Sequence, residues 1–211
     1  YSIMKIKFKG ADFITFLVIF ILVTSIFGLY TNRPQTDQQV APEPSFFYEE
    51  VAFYEQSDGF FGVYLQRSDG QVQPISFRLD PRTMNDILIE SDLNQKIRNA
   101  TKIYTSYNPN LDTSYAKMAV AIGEVTRLLP LITVNRAVSK NAFTEDANPI
   151  DPNVPIKTCK DATLEYPVIE FEIGNQNRVN SEGFCINVIG KNADDLILSA
   201  DRLGYSFVGI Y

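Results

Sequence analysis

The chain has 211 residues, a net charge of −6, and neither histidine nor tryptophan. The absence of histidine removes the Ser-His-Asp and Cys-His nucleophile systems, the usual metal ligands and the commonest general acid or base. An acidic balance without a Lys/Arg cluster beyond the first residues argues against binding to a nucleic-acid backbone.

Residues 11–30, ADFITFLVIFILVTSIFGLY, contain eighteen consecutive uncharged residues from Phe13 to Tyr30. Twenty helical residues reach about 30 Å, the thickness of a bilayer's hydrocarbon core, so the run reads as a transmembrane helix with the lipid bilayer as its partner. Apolar residues occupy every face, which leaves no amphipathic stripe for packing on a soluble core. A cleaved secretory signal has a shorter apolar region of about 7–15 residues and small residues at its cleavage site, and GLYTNRPQ lacks that pattern. Lys5, Lys7 and Lys9 precede the run and only Asp12 opposes them. Residues 1–10 are therefore expected in the cytoplasm and the rest outside. Taking the +2 of residues 1–30 from the overall −6 leaves −8 on residues 31–211.

The junction KFKG followed by ADFITFLVIF resembles the leader junction of archaeal type IV pilin precursors, in which a peptidase cuts after a Lys-Gly pair. Here the pair is Lys9 and Gly10, with Ala11 as the new terminus; Thr15 stands where mature pilins often carry Glu. That resemblance implies, as an alternative, a pilin-like filament subunit processed after Gly10.

Residues 31–45, TNRPQTDQQVAPEPS, read as an extended tether, because Pro34, Pro42 and Pro44 keep the residues before them out of the helical region. Residues 46–211 are one domain by length. FFYEEVAFYEQ and FFGVYLQRSDGQVQPISFRL are rich in aromatic and β-branched residues and carry the turn dipeptides Asp58-Gly59 and Asp69-Gly70, which predicts two or three antiparallel strands over 46–79. DPRTMNDILIESDLNQKIRNA predicts one or two short helices and KIYTSYN a strand. LDTSYAKMAVAIGEVTRLLPLI predicts a longer helix opening on Asp112 or Thr113, with Ala116, Val120, Ile122 or Gly123, and Leu128 on its buried face. ITVNRAV is the expected next strand. PVIEFEI and GFCINVIG are further strands, with Gly174 and Gly183 bounding a turn region. KNADDLILSADRLGYSFVGI predicts a closing helix capped by Asn192, with Leu196, Ala200, Leu203 and Phe207 on one face. This order gives a mixed α/β (α+β) fold: an N-terminal transmembrane helix plus one extracytoplasmic mixed-sheet domain.

Cys159 and Cys185 are the only cysteines, both in the part placed outside the membrane. An even count in an oxidising compartment favours a structural disulfide, and two Cys without His make a zinc site a poor fit. Asn99-Ala100-Thr101 is an N-glycosylation sequon. Glu170 and Glu172 point to the same face of a strand, as a carboxylate-based enzyme or glycan-binding domain would need, but alternation of Glu with Val, Ile and Phe is also how a strand with one solvated face looks. Asp80-Pro81-Arg82 offers a guanidinium and a carboxylate to a ligand or interface; equally, Asp80 caps a helix with Pro81 at its first position while Arg82 pairs on the surface. Asp194 and Asp195 suit a helix N-terminus. No phosphate loop, cofactor site, metal site or catalytic group is read from the sequence.

ISFRLDPR and GFCINVIGKNADDLILSADRLGYSFVGI resemble a group of archaeal single-pass envelope proteins, and more faintly the closing strand-helix unit of exported α/β modules in surface-layer proteins. The resemblance implies an archaeal cell surface and no particular activity. The expectation is a non-enzymatic, membrane-anchored protein whose exterior domain binds other proteins in an envelope or membrane complex.

Overall fold

The aromatic-rich segment that follows the tether folds into four strands: β1 (Phe46–Tyr48), β2 (Val51–Glu55), β3 (Phe61–Gln66) and β4 (Val72–Phe77), each antiparallel to the next. The computed structural model describes residues 43–66, 71–111, 115–145 and 153–211. The apolar run 11–30, most of the tether, Asp69-Gly70, Asp112 and Thr113 lie outside them. Among the described residues no helix is long and apolar enough to cross a membrane. The turn between β1 and β2 uses Glu49 and Glu50, both with positive φ (46° and 67°), the backbone that a two-residue hairpin matched to strand twist requires. Phe53, Val63, Ile75 and Phe77 are the buried side chains of this meander.

The second sheet has six strands in the order β5 (Leu88–Ile89), β9 (Arg178–Glu182), β10 (Cys185–Gly190), β8 (Val168–Ile173), β6 (Lys102–Tyr107) and β7 (Val138–Phe143). β10, β8, β6 and β7 are mutually parallel, and β9 runs against β10 as its hairpin partner. The parallel step from β6 to β7 is made through α2 (Tyr115–Thr126) and α3 (Leu129–Ile132), as a parallel pair needs a crossover. α1 (Leu93–Ile97) precedes β6.

The last helix, α4 (Ala193–Phe207), lies between the two sheets. Asn192 caps it, its side-chain oxygen accepting from the N–H groups of Asp194 (2.9 Å) and Asp195 (3.0 Å), so two carboxylates sit at the positive end of the helix dipole. Gly190 permits the close approach of β10, since a Cβ there would run into the backbone of Leu196. Leu196, Ala200 and Leu203 are buried as the periodicity predicts, and Ser199 donates to the Ile189 carbonyl (2.7 Å). The opposite face is buried too: the Tyr205 ring stacks on Phe77 with centroids 3.9 Å apart and tilts against Phe53 at 5.9 Å. One core therefore spans the meander, α2 and α4, and the six-stranded sheet.

Four expectations are corrected. ITVNRAV is not a strand: Pro130 opens α3, Arg136 takes a positive φ of 52° in the turn after it, and β7 starts only at Val138. The region between Gly174 and Gly183 holds strand β9 rather than a turn alone. The long helix stops at Thr126 and buries Met118, Ala121, Ile122 and Val125, whereas Ala116 and Gly123 are exposed. Residues 80–100 do form short helical pieces as expected, a 3-10 turn (Pro81–Thr83) and α1, and the fourth correction is the short strand β5 between them.

The face of the six-stranded sheet away from α4 is crossed by residues 153–163. Phe143 N–H donates to Pro155 O (3.0 Å) and Lys157 N–H to Phe143 O (2.8 Å), which seats this segment on the β7 edge. Ser106 Oγ donates to Lys157 O further in. The Cys159–Cys185 disulfide then ties the segment to the first residue of β10.

Candidate functional site

Two recesses open on opposite regions of the domain. The first, of about 620 Å³, is a groove at the seam between meander and helices. Leu65, Gln73 and Ile75 come from β3 and β4, Asn94 and Arg98 from α1 and its end, Leu131 and Val134 from α3 and the turn that follows, and Phe207 from the end of α4. Ile75 and Phe207 are buried and supply an apolar floor, while Leu131 and Val134 stand out at the rim, 39% and 65% exposed. The turn is stitched to α1: Val134 N–H donates to Arg98 O and Asn135 Nδ2 to Asn99 O, both at 2.8 Å. Thr133 holds the turn from within, donating to Leu129 O (2.7 Å) and accepting from Ala137 N–H (2.7 Å). Arg98 and Arg136 thereby reach the same groove, and no aspartate or glutamate lines it. Asn99, the sequon residue, is exposed one position beyond Arg98.

The second recess, about 690 Å³, sits beside the disulfide and is lined by Glu145, Glu170, Glu172, Glu182, Asn187 and Lys160 among others. Here the structure brings Glu170 and Glu172 together in a cavity rather than on a bare sheet face. Burial pushes the Glu170 carboxyl above the usual range, with the charge of Glu172 adding to the shift, while the Cys159 N–H bonded to it at 2.9 Å pulls the other way. Cys159, Cys185 and Glu170 place their sulfur and carboxylate atoms within 4.8 Å of one another. The two sulfurs are joined to each other, however, and a disulfide sulfur is not the thiolate that zinc binds.

Asp80 lies in neither recess. Its side chain caps the 3-10 turn with Pro81 at the first position, accepting from Arg82 N–H (2.9 Å), and also takes the Arg82 guanidinium, which holds the Asp80 carboxyl below its usual range. Arg82 lies over the Phe46 ring at 4.0 Å, so the pair closes on itself against β1.

The residues missed in the sequence lie beneath β4. Glu124 of α2, 6% exposed, accepts from Arg78 Nε (2.9 Å) and from Arg127 Nε (2.9 Å) and Nη2 (2.8 Å). Asp201 of α4, 1% exposed, accepts from Leu79 N–H (2.9 Å), and Tyr205 Oη donates to Leu79 O (2.7 Å). Asp201 is pushed up to about 7 by burial first and by the Glu124 charge second, against the Leu79 N–H, Arg127 and Arg78. Neither recess includes this network, and its bonds to Arg78 and Leu79 run from the end of the meander to the two helices behind it. The only signal of it in the sequence is the Asp-Arg pair at 201–202 inside an otherwise apolar helix.

No protein-family model matches this chain, and no curated protein or solved structure is significantly similar to it.

Proposed function

We propose that this is a membrane-anchored extracytoplasmic protein of an archaeal-type cell envelope, held in the bilayer through residues 11–30, whose α/β domain binds another protein in a surface or membrane complex. The observation that carries the reading is the seam groove: an apolar floor, exposed apolar rim residues and two arginines in its lining form the anatomy of an interaction site more than of a reaction centre. The lysines ahead of the apolar run support the orientation. The Cys159–Cys185 bridge fits an oxidising compartment.

A photo-crosslinking amino acid at Val134, in the full chain expressed in its native membrane, tests this reading. A covalent adduct to a second protein from Val134, with none from the exposed Leu164 on the far segment, is the expected result. No protein adduct from Val134 would remove the groove as the docking site.

One observation favours a second reading, a carboxylate-based enzyme or glycan-binding domain. Glu170, with its carboxyl raised by burial, shares a cavity with Glu172, and glycoside cleavage is carried out by a pair of carboxyl groups, one of them raised. Glycan-array binding or hydrolysis lost in Glu170→Gln would establish it; silence of the wild-type chain on such arrays would end it.

A further inference from the structure

We infer that the segment seated in the groove is a short stretch of partner polypeptide in which a carboxylate stands beside apolar side chains, the carboxylate held between Arg98 and Arg136. This rests on the interaction-module reading above. Arg78, Arg82 and Arg127 each hold a carboxylate of this chain; among the described residues Arg98 and Arg136 hold none, and the groove supplies none. Two arginines lining one groove that holds no aspartate or glutamate form a local exception to the acidity of a chain of net charge −6. The planar fork of arginine matches a carboxylate bidentately, which a lysine in the same place would not do.

The rest of the groove defines what accompanies the charge. Ile75 and Phe207 at the floor and Leu131 and Val134 at the rim take apolar side chains, and about 620 Å³ has room for a few residues and not for a folded surface. The amides of Gln73 and Asn94 on its walls suit the alternating donors and acceptors of a peptide backbone, which an aliphatic acid of the bilayer does not offer. The backbone of the turn is committed before any partner arrives: Val134 N–H is bound to Arg98 O, and Arg136 is held at a positive φ. The two guanidiniums therefore project from a fixed frame, which limits the ordering that binding must impose.

The test uses the Val134 crosslinker in the full chain in its native membrane, in three backgrounds: wild type, Arg98→Glu with Arg136→Glu, and Lys140→Glu with Lys191→Glu as a charge-matched control elsewhere. Mass spectrometry of the adduct identifies the captured segment. The inference expects that segment to carry Asp, Glu or a C-terminal carboxylate within a few residues of apolar ones. It also expects adduct yield to fall about tenfold or more in the arginine reversal alone, the two control lysines being exposed and lining neither recess. A basic or carboxylate-free segment, or equal yield in all three backgrounds, overturns it while leaving the interaction reading intact. An adduct to lipid, or no adduct in wild type, overturns both. A melting curve of each variant confirms that a lost adduct is not lost folding.

Discussion

The chain uses arginine in two opposite ways. Beneath β4, Arg78 and Arg127 converge on the Glu124 carboxylate, with Asp201 close behind; the Arg78 bond joins the end of the meander to α2 and the Leu79 bond joins it to α4, while Arg127 braces Glu124 from the end of α2 itself. In the seam groove Arg98 and Arg136 line an open recess that holds no aspartate or glutamate. In the first arrangement the guanidiniums are paired from within the chain and work for the fold; in the second, on the proposal above, the carboxylate comes from elsewhere. What separates them is not residue type or exposure but whether a partner side chain comes with the site, because a buried carboxylate that loses its cations is costly whereas an exposed guanidinium loses little when free.

The contrast is broken most severely at Glu124. Glu124→Ala removes the acceptor of both arginines and leaves a void between α2 and β4, so it should cost ~2–3 kcal/mol in chemical denaturation, even though both guanidiniums are partly in water. Asp201→Asn is expected to act in the opposite direction. The folded carboxyl, raised to about 7, lies above an unfolded value of ~3.9, so its contribution is fully present below about pH 4 and is lost as pH rises to about 7. Asparagine can still accept from Leu79 N–H, so the variant should gain ~2 kcal/mol at pH 8 and lose most of the slope between pH 4 and 7. Asp80 and Asp161, both lowered, contribute with the other sign and weaken the fold only in acid; the slope is therefore read as the difference between wild type and variant.

The groove should answer these changes with near silence. Arg98→Glu with Arg136→Glu is expected to shift stability by less than about 0.5 kcal/mol while abolishing partner capture, the reverse of the Glu124 phenotype. Smallest of all is Asn99→Gln: no stability change beyond ~0.3 kcal/mol, with intact mass on the protein purified from its native host reporting whether a glycan has been lost beside Arg98.

What was legible in the sequence follows the same division. The cap at Asn192, the apolar face of α4, the paired cysteines and the strands VIEFEI and GFCINVIG are local or periodic signals, and the chain forms them where they are written. β9 escaped because in RVNSE only Val179 enters the core, while Arg178 and Asn180 point to the other face, so the segment reads as polar turn. ITVNRAV misled because β-branched residues outweighed Pro130 and Asn135. The buried side of α4 could not be read, since Asp201 and Tyr205 are enclosed only once the meander packs on them. The groove has no sequence signature: its walls come from Leu65, Gln73, Ile75, Asn94, Arg98, Arg136 and stretches 130–134 and 207–209, far apart in the chain.

Thermal unfolding of the full chain, comparing Glu124→Ala with the Arg98→Glu, Arg136→Glu double variant at neutral pH, tests the division directly. The account expects the first to melt many degrees below wild type and the second to melt with it, within the few degrees that 0.5 kcal/mol allows. Equal losses in the two would mean that the groove arginines also hold the fold together, and the central distinction would fail.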